Sequence, residues 1–168
     1  ISPFVPSGAN NVSTATFTPT AGSNVSGVIS ASSASYTDLA GNTGNVIPSV
    51  SVSIDTIVPT LTSMNITGAS GMVSNTLNAG DVVSVTVTMS EATTVTGTPQ
   101  LALNIGGTTV QANYSSGSGT SALVFKYTIQ AGQTDANGIS VAANARTLNS
   151  GTLTDAAGNV ATITHAAV

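Results

Sequence analysis

Cysteine is missing altogether, so neither disulfides nor thiolate metal sites are open to this chain. Charge is scarce: 5% of residues are charged, against about 25% in ordinary globular domains. Two bases, Lys126 and Arg146, stand against six acids for a net charge of -4. Nucleic acid requires clustered Lys and Arg to replace phosphate counterions, and an anionic membrane surface attracts the same residues. The composition argues against both partners. Tryptophan is absent and there are three Tyr, which leaves little for stacking on sugars. No apolar run reaches the roughly 18 residues of a membrane span, so membrane insertion is not expected. No signal-peptide pattern is read, and a chain opening on Ile1 fits a processed product or a fragment.

What is present is hydroxyl and alternation. Ser and Thr make up roughly 30% of the 168 residues, well above ordinary usage, so solubility must come from hydroxyls, amides and backbone. The length allows one or two domains with a real core. From Asp81 to Met89, residues Val83, Val85, Val87 and Met89 share one face and Ser84, Thr86 and Thr88 the other, the pattern of a half-buried antiparallel strand. Ala122 to Gln130 repeats it, with Leu123, Phe125, Tyr127 and Ile129 inward and Lys126 outward, and Ser49 to Ile54 alternates as cleanly. Gly, Asn, Ser and Pro punctuate these runs at intervals of roughly ten residues, as in a sandwich. No amphipathic helix is read; Val141 to Arg146 allows one turn at most.

The phrase Thr37-Asp38-Leu39-Ala40-Gly41-Asn42 returns as Thr154-Asp155-Ala156-Ala157-Gly158-Asn159. Each copy lies between alternating stretches, so the chain holds two units of one β architecture. The boundary falls at Ile54-Asp55-Thr56-Ile57-Val58-Pro59-Thr60, where Pro59 fixes φ and a fresh pattern begins. Residues 58–168 have the size of a complete immunoglobulin-type sandwich. Strands are expected near Thr60–Thr67, Asp81–Ser90, Gln100–Ile105, Thr108–Tyr114, Ala122–Gln130, within Ile139–Thr154, and at Asn159–Ala166. Residues 1–57 hold only the C-terminal strands of such a unit, at Ser13–Thr20, Gly27–Thr37 and Val46–Thr56. Either the chain is a fragment, the plainer reading, or a neighbouring chain supplies the missing strands.

Several stretches together resemble the bacterial immunoglobulin-like repeats of giant surface adhesins. They are Ser90-Glu91-Ala92, Thr96 to Gly107, Phe125 to Ile129, Asp135-Ala136-Asn137-Gly138-Ile139, and Thr154 to Asn159. The first unit, through Ala15 to Thr20 and Ser53 to Thr60, looks like a sister repeat type. The resemblance covers nearly the whole chain. It implies a tandem-repeat extender of a secreted or surface-anchored bacterial protein, used in adhesion or biofilm formation, with calcium stiffening the junctions between repeats. Gln133 stands where many such repeats carry an Asp.

Topology points to the same metal. In a sandwich the chain enters at one pole, and two of the loops return to it. Asp55 on the linker, Glu91 at the end of its strand, and Asp155 and Asn159 in the repeated loop should therefore converge near Pro59. Calcium takes six to eight oxygen ligands, several of them carboxylates, and three crowded acids otherwise repel one another. The alternative is a plain turn, with Asp capping backbone amides and Gly or Asn at φ > 0. Asp38 and Asn42 form an incomplete equivalent of the site, and Asp135-Ala136-Asn137-Gly138 reads as a turn at the opposite pole. Lys126 faces away from the apolar side, which disfavours an isopeptide crosslink. His165 has neither a second metal ligand nor an orienting acid and reads as an exposed strand residue. No nucleophile elbow or triad stands out, and no paired carboxylates flank a cleft.

The expected function is thus not enzymatic. It is an extracellular or cell-surface spacer whose partners are adjacent repeats or neighbouring copies, any host or surface ligand being met by other domains. The alternatives are a self-assembling subunit of an extracellular filament or sheath, and a ligand- or glycan-binding module of a secreted protein.

Overall fold

A computed structural model describes residues 5–7, 12–14, 16–31, 37–38 and 40–168. The chain divides into two compact units, Ile1–Ile57 and Val58–Val168. Both are all-β, with no helix among the described residues and antiparallel strand pairing within each sheet.

Among its described residues the upstream unit has two separate two-stranded sheets. In one, β1 (Val5–Ser7) pairs β2 (Val12–Thr14). In the other, β3 (Asn24–Ala31) pairs β4 (Ile47–Asp55). The strand expected at Ser13–Thr20 does not form: β2 ends at Thr14, and residues 16–20 lie outside any strand. Register sets Val25 opposite Ile54, Gly27 opposite Val52 and Ile29 opposite Val50. Directly opposed residues share a face, so Val25, Ile29, Val50, Val52 and Ile54 make one apolar side. Asn24, Ser26, Ser51, Ser53 and Asp55 fall on the other with Val28. Four of the five are exposed, from 42% at Val52 to 61% at Ile29, and Ile54 is half-buried.

The downstream unit is one folded sheet of seven strands, an arrangement consistent with a β-sandwich. They are β5 (Leu61–Ser70), β6 (Val82–Thr96), β7 (Gln100–Ile105), β8 (Thr108–Ser116), β9 (Thr120–Thr128), β10 (Arg146–Thr147) and β11 (Thr152–Thr154). Neighbours run β10-β7-β8-β9-β6-β11, with β5 also on β6. β6 is longer than its alternating run because a register shift between Thr88 and Thr93 lets one strand serve two sets of partners. Its first part lies between β5 and β9; its last residues, Thr94–Thr96, pair with β11. Backbone bonds from Ala102 to Ala145 and between Asn104 and Ser140 hold the loop after β9 along β7.

The inward face of each strand builds a single core from Val83, Val85, Val87, Met89, Leu101, Leu103, Leu123, Phe125 and their neighbours. Phe125 is fully buried, opposite Val85 and Tyr114, and its ring meets Tyr114 edge-on at 5.9 Å. Lys126, the next residue, is exposed.

Two expectations are corrected, at Asn159–Ala166 and at Glu91. Asn159–Ala166 forms no strand, because its backbone groups bond to several different elements in turn: Asp155, Leu153, Pro59 and Asn144. Val141–Arg146, where at most one helical turn was open, contains a turn with Asn144 at φ 54° and ends in β10. Glu91 lies inside β6 rather than at its end.

Phe125→Ala removes the largest fully buried side chain and should cost roughly 3–5 kcal/mol of stability. Urea denaturation of the variant against the parent measures it.

Candidate metal centre

The Asp and Asn of the repeated phrase make the same hydrogen bonds in both units. Asp155 Oδ1 accepts the Ala157 and Asn159 N–H groups, both at 2.8 Å, and Oδ2 accepts Asn159 Nδ2 at 2.7 Å. Asp38 Oδ1 accepts the Ala40 and Asn42 N–H groups, both at 2.9 Å, and Oδ2 accepts Asn42 Nδ2 at 2.8 Å. Backbone bonds close each loop, from Asp155 N to Asn159 O and from Asp38 N to Asn42 O. The spacing is explained by backbone geometry: Gly158 and Gly41 adopt φ of 92° and 86°, a region glycine enters without steric cost. The carboxylate thus organises the turn, as the capping alternative requires.

Capping leaves lone pairs on the carboxylate, since two oxygens offer about four acceptor sites. The surroundings of the two copies differ. Asp38 is exposed, whereas Asp155 is 6% exposed. Asp155 follows directly on β11, whose Thr154 pairs Thr94 of β6. Three residues before Thr94 on β6 is Glu91, half-buried, at the register shift where Thr93 Oγ1 turns to donate to the Glu91 carbonyl. This brings a carboxylate oxygen of Glu91 and one of Asp155 within 4.8 Å. Chain entry lies beside them. Thr60 exchanges backbone and side-chain bonds with Ser90, the neighbour of Glu91, and Pro59 O accepts the Thr162 N–H.

The remaining candidates fall as follows. Asp55, in the upstream unit, accepts the Ile57 N–H on Oδ1 and Asn24 Nδ2 on Oδ2. The amide of Asn159 is turned to Asp155, so it orients that carboxylate. Asn42 does the same for Asp38. Asp135 Oδ1 accepts the Asn137 and Gly138 N–H groups, a turn as expected from its sequence. Gln133 bonds Tyr127 Oη and the Gln130 N–H, tying its own loop to β9. His165 is not the exposed strand residue expected: its Nε2 accepts the Ala145 N–H at 3.0 Å and Nδ1 lies 2.7 Å from Ala166 O. What sequence reasoning missed is the role of Asn159, whose donor function follows from the Asp-x-x-x-Asn spacing itself.

Electrostatics follow from these bonds. Burial alone would raise the Asp155 carboxyl, but donation by the Asn159 amide and by the Asn159, Ala157 and Gly158 N–H groups outweighs it and holds the group below its ordinary 3.8. Asp38 is lowered too, first by the Asn42 side chain. Two carboxylates as close as Glu91 and Asp155 repel when ionised, and a shared cation relieves that repulsion.

No family model matches the chain, and neither a curated protein nor a solved structure matches it.

A carboxylate held below its ordinary value stabilises the fold fully above that value and loses the contribution as pH falls through the lowered one. Asn159→Ala should therefore melt lower than the parent at neutral pH. The gap should narrow as pH drops below about 4, the unfolded carboxylate range; melting curves from pH 2 to 7 test this.

Proposed function

We propose that this chain is a structural extender of a large bacterial surface or secreted adhesin. In this reading immunoglobulin-like modules stand in tandem, the first of them partial, and calcium stiffens their junction. The observation that carries it is the Glu91–Asp155 carboxylate pair beside the point of chain entry. Glu91 and Asp155, both in the downstream unit, would each offer one carboxylate oxygen to the cation; backbone carbonyls and water would complete the six to eight that calcium takes. Asp55 is five residues upstream of Thr60, and in this reading the linker adds its carboxylate to the set. Asn159 keeps Asp155 aimed. Asp38 and Asn42 repeat the turn without a second acid drawn to it in the sequence.

The role so proposed is mechanical. A strand of ten residues spans about 33 Å, and each module adds roughly that reach. The scarcity of charge and the hydroxyl-rich outer faces support an extracellular setting in which the surface stays soluble without ionic groups.

Calcium should raise the melting temperature by several degrees, and a chelator should reverse it. Glu91→Gln and Asp155→Asn should each abolish the response. A melting curve and a small-angle scattering profile that ignore both calcium and chelator would end this reading.

A second reading is favoured by the bare apolar side of β3 and β4. Two strands alone are marginal in water, and open edges invite pairing with another chain. In that reading the upstream unit takes strands from a neighbouring copy to build a filament or sheath. Light scattering of the purified chain should then show concentration-dependent assembly that Val52→Asp removes. A monomer at high concentration rejects it.

A further inference from the structure

The downstream core contains a buried guanidinium with no hydrogen-bond acceptor among the described residues. Arg146 on β10 lies directly opposite Leu101 of β7, so the two side chains share a face, and Leu101 is completely buried. Arg146 itself is 8% exposed. Its Nε, Nη1 and Nη2 are all shielded from solvent and have no hydrogen-bond acceptor among the described residues. A guanidinium is a donor-only group with five N–H bonds, and leaving such a group desolvated and unpaired is strongly unfavourable.

Deprotonation does not relieve the problem. Burial lowers the group only to about 10, so the charge persists at neutral pH. The chain's six acids do not hydrogen-bond it either. Asp38, Asp55, Asp81, Asp135 and Asp155 each accept backbone N–H groups near them in sequence, and Glu91 lies beside Asp155. His165 bonds the adjoining Ala145 N–H through Nε2 and so presents no acceptor there to Arg146.

We propose that Arg146 holds a small inorganic anion of the halide class inside the downstream unit. The size follows from the packing. The same face carries Leu101 and Leu103, both buried, with Val141 and Leu148 in the same core. Protein interiors have few voids larger than a water molecule, and a single spherical ion near that size can accept several N–H bonds from one planar fork. A carboxylate or phosphate brings further oxygens that this apolar lining cannot satisfy. The ion neutralises the guanidinium and stabilises β10 on the edge of β7. The inference rests on Arg146 alone and is independent of the adhesin reading.

Crystals of the full chain grown in sodium bromide test it directly. An anomalous bromine peak at hydrogen-bonding distance from the guanidinium is expected. In solution, at matched ionic strength, the melting temperature should be a few degrees higher in chloride than in gluconate, and Arg146→Met should melt alike in both. No bromine at Arg146, or bromine at the surface as an adventitious ion only, overturns the proposal. So does a chloride response that Arg146→Met retains. Should Arg146→Met fail to fold, the bromine map of the parent still decides.

Discussion

The register of β6 is the constraint on which the downstream unit depends. Val83, Val85, Val87 and Met89 all point inward, and a slip of one residue would carry the whole set to solvent. Because β5, β9 and β11 all pair with this strand, its register dictates theirs. The shift between Thr88 and Thr93 is part of the same device. It bends the strand from one set of partners to another and, in doing so, leaves Glu91 at the bend beside Asp155.

The repeated Asp turn is one arrangement set in two different surroundings. In both units an Asp carboxylate collects two N–H groups and an Asn amide. That is sufficient reason for the phrase to occur, and it operates without any ion. What differs is the neighbourhood. Asp38 stands in solvent, while Asp155 is buried and has a second carboxylate within reach. A turn of this kind, made first for backbone geometry, is open to a second use as a cation ligand, the role proposed above, where another acid is brought to it.

Much of the downstream fold could be read from alternation. Gln100–Ile105 is a strand with the bounds expected of it, and the inward set on β6 is the one the period of two marks out; on β9 Leu123 and Phe125 are buried as expected, Tyr127 is half-buried and the buried Ile129 falls just past the strand's end. Topology predicts the approach of Glu91 to Asp155, although Glu91 lies within its strand and not at the end the alternation marks. Other features had no local signal. Residues 159–166 alternate like a strand, but their backbone partners are spread over several elements and no ladder forms. The inward face of Arg146 depends on its register with Leu101, in a strand of two residues, too short for any pattern. In the upstream unit Ser13–Thr20 has strand-like composition, yet β2 stops at Thr14.

The two basic residues have one more consequence. Trypsin cuts only after Lys or Arg, and here that means after Lys126 and after Arg146. The first bond lies within β9, hydrogen-bonded on one side to β6 and on the other to β8. The second follows a side chain that is itself buried. Digestion at either place therefore requires the sheet to come apart, and the folded downstream unit is shielded from this class of protease by the rarity and the placement of its cations.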